Sequence, residues 1–170
     1  MKNFYDIIDS VMVSVVTITF IILFLFRAVS VDGISMEPTL KHDERLIITN
    51  FFYNPEKGDI VVVDKNNSYN KPLVKRVIAT EGDTIKIDYS TGDVYVNNQL
   101  IVENYINEKI NPESIPDLEV TVSEDCVFVM GDNRNHSADS RVKEIGLIKN
   151  KNILGKAILR IYPFSNIGVL

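Results

Sequence analysis

Tryptophan is absent from the chain, cysteine occurs once and histidine twice. A lone cysteine, Cys126, closes no disulfide within the chain, and a thiolate-rich zinc site, which needs at least two cysteines, is excluded with it. His42 and His136 leave too few imidazoles for a metal centre, so neither metal nor cofactor is expected. Proline (6) and glycine (8) are too sparse for a fibrous or low-complexity chain. Positive charge is not in excess either: 18 Lys and Arg against 23 Asp and Glu give a net charge of −5. The basic residues form no stripe, which argues against nucleic acid as a partner. What remains is an ordinary folding composition, 45% hydrophobic and 24% charged, in 170 residues, one domain's worth of chain.

The apolar residues are unevenly spread. From residue 10 to residue 26 no side chain is charged, and the run reads SVMVSVVTITFIILFLF. With Phe4, Tyr5, Ile7, Ile8, Ala28 and Val29 flanking it, a helix rising about 1.5 Å per residue crosses a hydrocarbon core about 30 Å thick. Arg27 is placed to snorkel to the interface and Tyr5 to act as an aromatic anchor. A buried core helix this uniform would need a larger protein around it. A cleavable secretory signal is the better alternative, since Ala28-Val29-Ser30 has the small-x-small form of a cleavage site. Against it, the run exceeds a signal core of about 7 to 15 residues and Arg27 falls inside the cleavage region. The expectation is an uncleaved anchor in a lipid bilayer, with residues 1–30 as cytoplasmic tip and transmembrane segment. Lys2 and the α-amine before the span nearly balance Arg27 and Lys41 after it, so charge alone does not orient it.

No later run is long enough to span, and residues 31–170 read as one mainly β domain. Short stretches rich in Val, Ile, Tyr and Phe at 45–53, 59–64, 73–80, 84–89, 93–97, 120–122, 126–130 and 153–162 predict strands. Residues 89–93 and 97–98 have hairpin composition, and 55–58 a turn. The segment 103–117, with Pro112 and Pro116, is expected to be a surface loop or short excursion. Many short strands imply a barrel-like or sandwich architecture.

Three segments hold residues fit for chemistry. Ser35 lies between flexible Gly33 and rigid Pro38, a setting that holds a hydroxyl on a fixed turn, although an isolated serine carries no meaning. Its activation needs a base. His136, contiguous with Ser137 and Asp139, makes a poor triad, because neighbours in sequence rarely converge as nucleophile, base and orienter. A lysine serves only when burial lowers its affinity for the proton. The period of two puts Lys75 on one face with Leu73, Val77 and Ala79. An ordinary strand lysine with its stem on apolar surface has the same pattern. Arg76 stays charged and is no base. The third segment, 128–141, is a polar run after an apolar strand, dense enough in donors and acceptors to brace a catalytic turn; a solvated loop looks similar.

In order and spacing these segments resemble the bacterial type I signal peptidases, membrane-anchored serine/lysine proteases that remove signal peptides from exported proteins. The resemblance is carried by the anchor, by Gly33-Ile34-Ser35-Met36-Glu37-Pro38-Thr39-Leu40, by Gly58-Asp59-Ile60-Val61-Val62 and by Lys75-Arg76-Val77. It continues in Gly131-Asp132-Asn133-Arg134 and Ser137-Ala138-Asp139-Ser140-Arg141. It implies Ser35 as nucleophile, Lys75 as general base, Ser137 as the residue hydrogen-bonding that lysine, and Asp139 with Arg141 as a supporting ion pair. Gly33 stands where some members place a serine that donates to the oxyanion, which leaves that task to backbone N–H groups, chiefly that of Ser35. Val31, Leu40 and Val74 match positions lining the substrate pockets. The implied substrates are signal-peptide-bearing preproteins with Ala-x-Ala-like ends. The implied location is the bacterial cytoplasmic membrane, single-pass, N-terminus cytoplasmic and catalytic domain outside. The family is also similar in its β core to self-cleaving repressor proteases. Two other readings are weaker. A sortase-like cysteine transpeptidase would use His42, Cys126 and Arg134, but Glu124 and Asp125 beside the cysteine would raise its pKa. A non-enzymatic anchored binding domain leaves the spacing of Ser35 and Lys75 unexplained.

Overall fold

A computed structural model describes residues 2–65 and 70–170. The helix α1 (Lys2–Leu25) opens the chain. Its segment Phe4–Leu25 has a mean hydropathy of 2.5, none of it is buried in the protein, and its length and composition suffice to cross a membrane. Twelve strands follow among the described residues. They are β1 (Phe26–Ser30), β2 (Arg45–Thr49), β3 (Ile60–Val63), β4 (Leu73–Thr80), β5 (Thr84–Asp88) and β6 (Asp93–Val96), then β7 (Gln99–Leu100), β8 (Leu118–Thr121), β9 (Cys126–Met130), β10 (Ile148–Lys149), β11 (Ile153–Tyr162) and β12 (Gly168–Val169).

Every pairing is antiparallel. A large sheet runs β1-β2-β11-β3-β4-β9-β10 with β12 on β11, and a small one runs β7-β6-β5-β8. The mainly β architecture behind an N-terminal apolar helix is as expected. In β5 and β6 buried and half-buried residues alternate, as in strands with one wet face, whereas β3 and β9 are buried throughout. The two sheets meet in one apolar cluster: Ile78, Phe128 and Met130 from the large sheet pack with Ile85, Ile87, Val94 and Val96 from the small one. That junction is sandwich-like.

Two local features depart from expectation. The helix stops at Leu25, and Phe26–Ser30, expected inside the anchor, is a strand paired over its full length with β2. Those five residues satisfy the outer N–H and C=O groups of β2, which a helix continuing to residue 30 would leave bare. Second, the predicted face of Leu73, Lys75, Val77 and Ala79 breaks at a register shift between Val77 and Ala79. Leu73 and Val77 pack with Val61 and Val129, and Ala79 joins the cluster shared with the small sheet. The segment 103–117 is a mostly exposed loop without regular structure, as expected, pinned at Ile110, which is 4% exposed and whose backbone oxygen a Cβ on Gly92 would overlap.

Candidate active site

The turn bearing Ser35 is closed from below. Val31 N–H donates to the Glu44 carbonyl at 2.8 Å and Asp43 N–H to the Val31 carbonyl at 2.9 Å, while Met36 and Leu40 are sunk in the core. Gly33 takes a φ of 101°, which a side chain would resist. Its N–H donates to Nδ1 of His42 at 3.0 Å. On the other side the strand-to-loop corner after β9 grips the turn: Asn133 N–H donates to the Ser35 carbonyl at 3.0 Å, and its Nδ2 donates to the Ile34 carbonyl at 3.2 Å. Gly131 is wedged there, since a Cβ would strike both the Ser35 carbonyl oxygen and Ser137 Oγ.

Lys75 reaches this turn from the middle of β4. Its Nζ lies 2.7 Å from Ser35 Oγ and 3.0 Å from the Val74 carbonyl oxygen, and the residue is 2% exposed. Burial penalises its ammonium form and brings the pKa down to about 8, with Arg141 acting in the same direction against Asp139 and Asp132. A neutral amine at that distance is placed to accept a proton from the Ser35 hydroxyl. The two residues are forty positions apart in sequence and converge because β4 and the 31–44 loop flank the same cleft.

Asp139 is fully buried and accepts from Gly131 N–H at 2.9 Å, from Ser137 Oγ at 2.7 Å and from Arg141 Nε and Nη2, both at 2.8 Å. Burial works to raise its pKa, but these donors and the Arg141 charge hold the carboxyl below the ordinary range. Asp139 and Arg141 thus form a buried ion pair. Ser137 differs: its hydroxyl donates to Asp139, and no described hydrogen bond joins it to Lys75. Asp139 takes the hydroxyl's single proton, while Lys75 Nζ is directed to Ser35 Oγ and the Val74 carbonyl.

Val31 and Val74 line a cleft of about 600 Å³ that also holds Ser35 and Lys75. Leu40 does not line it. With 0% exposure it lies underneath, in the cluster that contains Val31 and is flanked by Val74. Sequence reasoning missed Leu73 and Leu154 along the same cleft. It also missed a buried charged layer behind the site. Arg76 binds Asp132 through Nε at 2.9 Å and Nη2 at 2.7 Å, with the Tyr105 ring centroid 4.0 Å from its Cζ. Arg134 pairs with Glu103, which accepts from the Tyr105 hydroxyl. Arg76, Asp132 and Arg134 stood in the quoted motifs; Glu103 and Tyr105, in an aperiodic loop, gave no signal. The other candidates separate. Cys126 is buried among aliphatic residues, Arg134 is committed to Glu103 and His42 to Gly33, so the transpeptidase set is not assembled. His136 is exposed, and Ser137 bonds Asp139 without it.

A cleft in which a hydroxyl meets a buried amine, at the edge of a β domain that follows an apolar helix, has the makings of a hydrolase site. The sequence profile of the family described as signal peptidase, peptidase S26, matches residues 4–162, and the chain belongs to that family. Among curated relatives, a probable signal peptidase I-2 of Synechocystis is 37% identical over 155 residues, covering 86% of this chain and 68% of its own. A signal peptidase I of Bacillus licheniformis is 33% identical over 98% of this chain and 92% of its own. A signal peptidase I P of Bacillus subtilis subsp. natto is 35% identical over 98% and 93% respectively. Membership makes the chain a peptidase, with signal-peptide-bearing preproteins as the implied substrates, and the N-terminal apolar helix fits a membrane-anchored protein.

Proposed function

We infer that this protein is an endopeptidase that removes N-terminal signal peptides from exported preproteins, with Ser35 as nucleophile and Lys75 as general base. The observation that carries the reading is the 2.7 Å approach of a 2%-exposed lysine amine to the serine hydroxyl. Neutral Lys75 takes the Ser35 proton as Oγ attacks the scissile carbonyl, and backbone N–H groups at the turn hold the oxyanion, Gly33 leaving room for them. The tetrahedral intermediate collapses as the ammonium of Lys75 returns the proton to the departing amine. An acyl ester remains on Ser35. Lys75 then deprotonates a water that attacks this ester, and the proton passes back to Ser35.

The substrate lies extended in the cleft between Val31 and Val74, with alternate side chains directed into it. Leu40 shapes that wall from beneath. Asp139, with Ser137 and Arg141, acts as the support: it fixes Gly131 against the Ser35 carbonyl and sets the field at Lys75. α1 spans the bilayer with its N-terminus cytoplasmic, and the β domain works at the outer face, where cleavage points emerge.

The test maps cut sites and rates on a purified preprotein for wild type, Ser35→Ala and Lys75→Arg. Both variants should lose cleavage by about a thousandfold or more while remaining folded. Because the neutral amine is the active form, wild-type kcat/KM should rise as pH increases through about 8 and fall below it. Substantial cleavage by Lys75→Arg would eliminate the lysine as base.

A further inference from the structure

Two side chains from the irregular segment after β7 close the buried charged layer behind Ser35. The layer reaches the Ser35 turn by two arms. In one, Arg76 binds Asp132, and Asp132 accepts from Thr39 Oγ1 at 2.5 Å; Thr39 lies in the same turn as Ser35. In the other, Arg134 Nε donates to the Gly131 carbonyl at 3.1 Å, and Gly131 is wedged between the Ser35 carbonyl oxygen and Ser137 Oγ. Glu103 and Tyr105 hold both arginines from behind. Glu103 accepts from Nη1 of Arg134 at 2.5 Å and from its Nη2, with the two side chains 8% and 1% exposed. The Tyr105 ring covers Arg76, its centroid 4.0 Å from Cζ, while its hydroxyl donates to Glu103 at 2.8 Å. Asn135 adds a second clasp to the same segment. Its Nδ2 donates to the Glu108 carboxylate at 2.8 Å and to the Lys109 carbonyl at 3.0 Å, and its Oδ1 accepts from Asn111 N–H at 2.8 Å.

We propose that Glu103 and Tyr105 are positioning residues for the Ser35–Lys75 pair: they keep Arg134 on Gly131 and Arg76 on Asp132, and so fix the turn that presents the Ser35 hydroxyl. The proposal rests on the reading of Ser35 and Lys75 as the reacting pair. Charge balance is the first argument. Two cations, Arg76 and Arg134, face two anions, Asp132 and Glu103, so each arginine has a carboxylate of its own. Burial works against the charge on Arg134, and Glu103, Tyr105 and Asp132 act to keep it. With Glu103 neutral, Asp132 is the carboxylate left acting on Arg134. A buried cation without a partner is costly, and Asp132 drawn toward it would leave Arg76 and Thr39. Location is the second argument. No residue of 103–111 lines the cleft of Val31 and Val74, so the segment meets the site only from behind. Its effect therefore falls on the alignment of the reacting atoms, where a displacement of about 1 Å costs on the order of a hundredfold in rate.

The test measures kcat and KM of the full-length protein in detergent on a soluble peptide substrate, with turnover referred to folded protein by circular dichroism. Glu103→Gln, which keeps the side-chain volume, should lower kcat about tenfold or more while KM stays within about twofold of wild type. Tyr105→Leu should do the same. Tyr105→Phe keeps the ring over Arg76 and should recover most of the turnover. In an Arg134→Gln background, Glu103→Gln should cost less than about twofold further, because its route to Gly131 is already cut. Wild-type kcat in folded Glu103→Gln and Tyr105→Leu, whatever their melting temperatures, reduces the segment to a stability element and overturns the proposal. A loss carried by KM assigns the segment to substrate binding and overturns it as well. Full additivity of Glu103→Gln on Arg134→Gln overturns the route through Gly131. Should Tyr105→Leu not fold, Glu103→Gln decides by the same criteria. Ser35→Ala runs alongside: cleavage by that variant refutes the reacting pair, whereas an inactive Ser35→Ala beside a fully active Glu103→Gln refutes the brace alone.

Discussion

The large and small sheets share one apolar cluster but fill their interiors differently. Within the strands of the small sheet the buried residues are Ile85, Ile87, Val94 and Val96, all aliphatic. The large sheet and the loop after β9 bury Lys75, Arg76, Asp132, Arg134 and Asp139. Taking an ion out of water costs several kcal/mol even after relaxation, and aliphatic residues of similar volume would pack as well or better. The small sheet therefore represents what packing alone asks for. The charged layer around Ser35 is an expense concentrated where the chemistry is proposed.

That contrast can be broken at three places. Asp132→Ala strips Arg76, a buried residue, of its bidentate partner, so it should cost about 3–5 kcal/mol and remove cleavage. Thermal unfolding in detergent, run beside the cleavage assay, measures both. Ile87→Ala, in the small sheet, should cost about 2–4 kcal/mol yet leave cleavage per folded molecule unchanged. A folded but inactive Ile87→Ala would mean that the small sheet takes part in the chemistry. Cys126→Ala, where the shared cluster meets β9, should cost only about 1 kcal/mol and spare activity. Inactivity in a stable Cys126→Ala would return the cysteine to the catalytic account.

Strands with sustained β-branched runs were legible to the residue: 73–80, 126–130 and 153–162 are β4, β9 and β11. β7, β10 and β12, two residues each, are too short for any period to declare itself. β1 was hidden for another reason: Phe26–Ser30 extends the apolar run, and hydropathy does not distinguish the last turn of a span from a strand. At the site, local pattern placed Lys75 on an apolar face, but its union with Ser35 spans forty residues and came only through resemblance. For Ser137 and Leu40 the neighbours were not legible, since the partner of a half-buried hydroxyl and the depth of the core are properties of the folded chain. Glu103 and Tyr105 dock through charge and ring stacking, which leave no periodic trace.

The register of β1 has a bearing on how the protein is divided for study. α1 hands over to β1 with no linker, and the strand forms the outer rim of the large sheet. A cut after residue 30 removes the rim with the helix and leaves β2, with Leu46 and Ile48 on its buried face, as a bare template for strands of other molecules. A cut between Leu25 and Phe26 takes the greasy helix and keeps the rim. Solubility of the fragment then turns less on how much of the helix is removed than on whether the sheet keeps its hem.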